Sequence, residues 1–335
     1  MKLSLLSVAA ATALASHLLP ASAQVQTDLP QAQVNALEGL FGKQAGFRRS
    51  GAKGVCASGH FVGNEGGRRL SRASVFSGQK VPVVARFSVG GGSPKASDKG
   101  RSVRGLALDF QIPGGERWQV ANISAPVFFV AKPEQFAPFL QVRTPDPATG
   151  KPDPEKLKAF NDANPETLRQ AAYLAKAPVP ASYGTVNYWG VNAFELEGSA
   201  GSRFARWQFV PEAGDIGLTD DQLKTLPDDF LAGELRERAA KGPVAFDFRL
   251  QLAEPGDNLT DPTIMWPEGR STVSAGRLVI DQVSADLSGA CDAMTFNPLV
   301  LPNGIKPSAD PVLNARAAPY ALSLGRRLGE AATKK

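Results

Sequence analysis

The stretch Val103-Arg104-Gly105-Leu106-Ala107-Leu108-Asp109-Phe110-Gln111-Ile112, closed by Pro113-Gly114-Gly115, decides the fold class. Leu106, Leu108 and Phe110 recur with the period of two expected of a half-buried strand, and the Pro-Gly-Gly that follows is a hairpin signal. Upstream, Val81-Pro82-Val83-Val84-Ala85-Arg86-Phe87-Ser88-Val89 is apolar and β-rich and stops at Gly90-Gly91-Gly92. Val55–Val62 has the same character and runs into the glycine-rich turn 63–67. Downstream, 118–120 and 126–130 continue the β pattern. Residues 133–178 then turn rich in Pro, Lys, Asp and Ala, with helical pieces at 155–161 and 165–175. Strands resume at 186–196, 203–210, 244–252 and 276–283. A helix is expected over 229–240, with Asp228 or Asp229 as its cap. Residues 24–47 carry a helical hint at 34–41, and 309–332 reads as a helix with Leu313, Tyr320, Leu324 and Leu328 on a recurring face. About eight strands with inserted and C-terminal helices predict an α+β fold built on an antiparallel β-barrel.

Composition narrows the classes. The chain has 335 residues, 43% apolar and 21% charged, which excludes a largely disordered protein. The net charge of +5 is dispersed, with no basic block, so no nucleic-acid partner is expected. Lys2, the apolar run Leu3–Leu19 and Ala21-Ser22-Ala23 read as a secretory signal cleaved after Ala23. We therefore expect a leader at 1–23 and one exported domain at 24–335, periplasmic or secreted, with no membrane partner after cleavage. Cys56 and Cys291 are either one disulfide or two buried thiols, and no CxxC motif is present. His17 leaves with the leader, so His60 is the one histidine of the mature chain. That excludes a His-rich metal site, and a Ser-His-Asp triad unless His60 is its base.

Six ordered motifs resemble the haem catalase family, specifically its short exported branch of catalase-related peroxidases. They are Ala52-Lys53-Gly54, Arg86-Phe87-Ser88, Arg101-Ser102-Val103-Arg104-Gly105, Ala125-Pro126-Val127-Phe128-Phe129, Phe296-Asn297-Pro298 and Arg316-Ala317-Ala318-Pro319-Tyr320. The resemblance implies the catalase-like barrel and haem b as cofactor. It implies Tyr320 as the axial ligand of the haem iron, with Arg316 one helical turn before it. A phenol is a poor ligand while protonated, and a neighbouring guanidinium favours the phenolate that ferric iron binds. Pro319 should kink the helix locally. The resemblance further implies that Arg48, Arg86 and Arg327 hold the haem propionates, since an arginine fork matches a carboxylate. Phe128, Phe129 and Phe136 match the region that packs on the haem plane.

The chain departs from the family pattern on the distal side. The position of the distal histidine, just before Ala52-Lys53-Gly54, is Gly51, and the position of the distal asparagine is Ser124, with Asn122 two residues off register. Cleaving a peroxide O–O bond calls for a group that takes one proton and returns it to the leaving oxygen, which histidine does near neutral pH and glycine cannot. His60 lies nine residues beyond Gly51, about 30 Å along a regular strand and facing the other way, so it is no substitute. A water polarised by Ser124 or Asn122 is the more credible replacement. The expected function is a haem-dependent peroxidase that takes hydrogen peroxide or an organic hydroperoxide and an external electron donor, with catalase activity doubtful. The alternatives are a non-catalytic haem carrier or sensor, and a haem-free barrel for a small apolar ligand. The expected assembly is a monomer or small homo-oligomer.

Overall fold

The structure is a computed structural model and describes residues 21–286 and 289–332. Most of the expected leader lies outside the described residues. Eight antiparallel strands form a closed barrel: β1 (Gly54–Gly63), β2 (Lys80–Val89), β3 (Arg104–Gln111), β4 (Arg117–Ile123), β5 (Tyr188–Gly198), β6 (Gly201–Pro211), β7 (Val244–Leu252) and β8 (Thr272–Val283). Each strand pairs with the next in sequence, and β8 returns to β1, so the barrel is an up-and-down meander with no open edge among these strands. The short strand Ile305–Pro307 adds to the outside of β5.

Alternation sorts the side chains. Phe87, Val89, Leu106, Leu108, Phe110, Trp118 and Val120 point inward and are buried. Phe248 sits among the rings of Phe61, Phe76, Trp118, Trp207 and Phe209, with centroids 4.8–6.5 Å away. Such a ring contributes about 1.5–3 kcal/mol through burial. The intervening residues of β2, β3 and β4 face outward. Helices α1 (Ala21–Phe41), α2 (Phe136–Gln141), α3 (Arg169–Lys176), α4 (Phe230–Lys241) and α5 (Ala317–Ala332) lie outside the barrel, and the first two join through Ala36, Ala137 and Leu140.

Three local expectations are revised. Residues 126–130 are irregular, not a strand: β4 ends at Ile123, and Phe128 N–H donates to Pro262 O instead of a ladder partner. The N-terminus of α4 is capped from a distance, by Asp98 Oδ2 accepting from Leu231 N–H at 2.9 Å, while the side chain of Asp229 makes no capping bond. The C-terminal helix is broken: Pro311–Asn314 is one turn, capped by Asp310, and α5 starts afresh at Ala317. Pro319 therefore falls in the first turn of α5, where its missing N–H has no intrahelical partner to lose. Among the described residues, no helix is long and apolar enough to cross a membrane.

Candidate active site

The outward face of the barrel supplies one wall of a cavity of about 410 Å³. Register explains the wall. Arg86 pairs with Ala107 and Ser88 with Gly105 across β2 and β3, while Ala107 pairs with Ala121 and Gly105 with Ile123 across β3 and β4. All six line the cavity, and the run of glycine and alanine makes its floor flat and open. Helices α1, α2 and α5 close it from outside, through Leu37, Phe41, Phe136, Tyr320 and Leu324 among others.

Tyr320 comes from the first turn of α5. Its hydroxyl accepts from Arg316 Nε at 3.0 Å and from the Nη2 of the same guanidinium. Arg316 is held in turn: its Nη1 donates to Asn192 Oδ1 at 3.2 Å, and Asn192 Nδ2 donates to Asp310 Oδ2 at 2.6 Å. Asn192 and Asp310 are buried, and burial raises the Asp310 carboxyl above its ordinary value. The phenol–guanidinium pair is thus fixed by a polar chain reaching to the cap of the preceding turn.

Arg48, Arg86 and Arg327 converge at another part of the cavity. Arg48 Nη2 donates to Cys291 O at 2.7 Å and Met294 O at 2.8 Å, and Arg327 Nη2 donates to Met294 O at 3.0 Å. Arg327 Nη1 also donates to Asp292 O. Arg86 makes a single hydrogen bond among the described residues, from Nη2 to Ala52 O at 3.3 Å, and both Arg48 Nε and Arg86 Nε are buried without a partner. Burial, then the charges of Arg86 and Arg327, lower the Arg48 guanidinium to about 9. Burial lowers Arg86 to about 10, with Arg327 adding to the effect, and burial lowers Arg327 too. Asp292 opposes the trend at all three. Three guanidiniums facing one carboxylate leave a local surplus of two positive charges (3 − 1), together with unused donors, which suits a dianionic ligand.

The loop that supplies these carbonyls is anchored covalently. Cys56 and Cys291 form a disulfide with a Cα–Cα distance of 5.5 Å, which settles the choice that two cysteines left open. Cys56 pairs with Arg86 across β1 and β2, so the bridge emerges beside the cation cluster. Arg49 fastens the other side: its Nε lies 2.7 Å from Glu38 of α1 and its Nη2 2.5 Å from Glu330 of α5.

The remaining predicted residues separate into two groups. Phe128, Phe129 and Phe136 line the cavity, with ring centroids 4.4 Å apart for the first pair and 5.3 Å for the second. Gly51 lines it as well, at φ +61°, a left-handed conformation that glycine adopts freely. Ser124 does not line this cavity: its Oγ accepts from Arg104 N–H at 2.7 Å, joining the ends of β3 and β4, and it borders a separate small pocket. Asn122 borders the cavity, but its amide is engaged at both ends, donating to Leu106 O and accepting from Trp207 Nε1 at 2.8 Å. His60 sits in β1 with Nδ1 2.7 Å from Asp281 and takes no part in the cavity. Lys53 and Gly54 of the Ala52-Lys53-Gly54 motif serve the frame. Lys53 pairs with buried Asp98 at 2.8 Å, and a Cβ on Gly54 would stand 2.4 Å from Phe87 O and 2.7 Å from Arg86 Cζ.

A catalase family model matches residues 44–334. The chain belongs to the catalase family. Within that family it is 45% identical to a catalase-related peroxidase of Synechococcus elongatus over 89% of this chain and 88% of the other. It is 34% identical to a catalase-related peroxidase of Mycolicibacterium paratuberculosis, over 90% and 95%. Catalase of Sus scrofa matches at 27% over 83% of this chain, which spans 55% of that longer protein. A crystal structure of a fungal catalase superposes with a TM-score of 0.77 at 22% identity, covering 96% of this chain and 66% of the other, and so shares the fold. These relations place the chain in the catalase-related peroxidase branch of an oxidoreductase family whose cofactor is haem.

The residues present fit haem. The cavity has a largely apolar lining and a floor of small residues for a flat ring, a cluster of underused guanidiniums for two carboxylates, and a guanidinium-paired phenol that can ligate iron. Sequence reading missed the floor (Gly105, Ala107 and Ala121), although it is the complementary half of the alternation that revealed the core. It also missed Asn192, Asp310 and the Arg49 clamp, whose partners are far apart in the chain.

Proposed function

We propose that this protein is an exported haem b peroxidase, which reduces hydrogen peroxide or a small organic hydroperoxide with an external electron donor and disproportionates peroxide poorly. The observation that carries this reading is the meeting, in one cavity, of the Arg316–Tyr320 pair and three propionate-ready arginines with a Gly51 that has no side chain to act as a base. Tyr320 would ligate the iron, Arg316 would hold the phenolate charge, and Arg48, Arg86 and Arg327 would bind the carboxylates. Haem, when bound, supplies the two-electron redox chemistry that the side chains lack. Non-covalent haem b is favoured because both cysteines are in the disulfide, leaving no thiol for a thioether link. The disulfide and the leader-like N-terminus favour an oxidising, exported location. The absence of a histidine base is expected to cost about 10²–10⁴-fold in any step that relies on general acid–base catalysis.

The test is peroxide consumption by haem-loaded protein with and without an aromatic donor, compared with free haem. Donor-dependent turnover well above free haem supports the peroxidase. Turnover equal to free haem, with haem tightly held, would replace it by the second reading, a haem carrier or sensor, which Gly51 also favours. Tyr320→Phe should abolish stable haem binding. If it leaves the visible spectrum unchanged, axial ligation by Tyr320 is excluded.

A further inference from the structure

Asp292 belongs to the loop around which Arg48, Arg86 and Arg327 are seated. Its backbone is fixed on both sides. Its N–H donates to Gly289 O at 2.9 Å, its carbonyl oxygen accepts from Arg327 Nη1, and the preceding residue, Cys291, is bonded through sulfur to Cys56. Cys56 pairs with Arg86 across β1 and β2, and Arg48 Nη2 donates to Cys291 O at 2.7 Å. The Asp292 carboxylate lies within 4.8 Å of both disulfide sulfurs. It is half-buried, does not line the cavity, and makes no hydrogen bond or ion pair among the described residues. Its charge nevertheless acts on all three guanidiniums. A carboxylate that served to satisfy those cations would pair with one of them and occupy its donors. Asp292 does not, and Arg48 Nε and Arg86 Nε stay without a partner.

We propose that Asp292 sets the charge that the cavity accepts: it offsets one of the three arginines without blocking a donor, so that the site matches a porphyrin with two carboxylates and holds it less tightly than three arginines alone would. The proposal rests on the haem reading above and deepens it, from the class of cofactor to the residue that limits its retention. A like charge fixed behind the cations repels each carboxylate of the ligand. The repulsion therefore grows with the number of ligand carboxylates, which separates it from a change in packing. At an effective dielectric constant of about 20, a like charge about 10 Å away corresponds to about tenfold in affinity. The disulfide holds the backbone of the loop, and so keeps the carboxylate beside the sulfurs and out of the cavity.

The experiment titrates the full apo protein with iron protoporphyrin IX, which has two carboxylates, and with its monomethyl ester, which has one. The variants are Asp292→Asn and Asp292→Ser, which remove the charge, and Asp292→Glu, which keeps it. We expect Asp292→Asn and Asp292→Ser to bind the two-carboxylate porphyrin about tenfold more tightly and the monoester only about threefold more tightly, the square root of that factor. Release of the two-carboxylate porphyrin to apomyoglobin should slow to match, and Asp292→Glu should stay at the wild-type affinity. Equal gains for the two porphyrins, no gain, or weaker binding would overturn the proposal. Loss of the folded barrel in both uncharged variants, read by circular dichroism, would overturn it too and make Asp292 a structural residue. If the wild-type protein binds neither porphyrin, the haem reading itself fails, and that result is visible before any variant is made.

Discussion

Arg48 donates a 2.7 Å hydrogen bond to the carbonyl oxygen of Cys291, the residue whose sulfur is bonded to Cys56 of β1. The cation cluster is therefore positioned by a loop that a disulfide ties to the barrel. Met294 O, three residues further along, accepts from both Arg48 and Arg327.

Cutting that tie should loosen the cofactor more than the barrel. The bridge closes a sequence separation of 235 residues, and a native disulfide typically contributes about 2–4 kcal/mol. Cys291→Ser is expected to lower Tm and to speed haem release, while far-ultraviolet circular dichroism keeps its β signature. Transfer of haem to apomyoglobin measures the release rate. Transfer at the wild-type rate would show that the loop holds its place without the bond.

Neutralising one of the three clustered arginines should have opposite effects on the two forms of the protein. Arg48 is held at about 9 by burial and by its cationic neighbours, so its charge is a cost to the haem-free fold. Arg48→Met is expected to leave the apo protein as stable as wild type or more so, and to weaken haem binding by about tenfold or more, as loss of a charge-assisted bond implies. Chemical denaturation of the apo form and haem titration separate the two effects. A parallel fall in both would mean that Arg48 is mainly structural.

Restoring a histidine should not restore a catalase. Gly51 has φ +61°, and its Cβ would press on Ser88 Oγ at 3.1 Å. A non-glycine residue in the left-handed region costs about 1–2 kcal/mol, and asparagine less than most. Gly51→His should lower Tm by more than Gly51→Asn and should gain little peroxide disproportionation. Full oxygen evolution from Gly51→His would show that this backbone reorganises easily.

Acid should open the cover of the cavity. Glu330 is held down at about 2, from an ordinary 4.5, chiefly by its hydrogen bond to Arg49, and Glu38 is also lowered by Arg49 and Arg326 against the upward push of burial. Depressed carboxyls contribute stability that is complete above their unfolded value and lost as pH falls through the folded one. The contact of α1 and α5 through Arg49 should therefore weaken from about pH 4.5 down toward 2. Glu330→Gln should flatten that part of the Tm-versus-pH curve. An unchanged curve would place the acid-sensitive groups elsewhere.

Local pattern was enough for the barrel. Leu106, Leu108 and Phe110 show the period of two because one face of β3 meets the core, and that signal survives in any sequence context. The Arg316/Tyr320 pair was legible for a similar reason, since four residues separate the partners and local backbone geometry brings them together. The alternation also contained Gly105 and Ala107, but a small residue on an outward face reads as surface until something is known to cover it. Motif position placed Ser124 and Asn122 beside the chemistry. The fold turned the first onto Arg104 and the second onto Trp207, because register and strand ends decide where a side chain points.

What the sequence determined by itself is what adjacent residues settle among themselves: the strands, the haem-family motifs and the missing side chain at Gly51. Tertiary structure alone decided the Cys56–Cys291 bridge, the capping of α4 by Asp98 and the Arg49 clamp. Each of these depends on groups tens to hundreds of residues apart in the chain. Their meeting is set by closure of the barrel and the packing of helices on its outer face, and no local pattern encodes that distance.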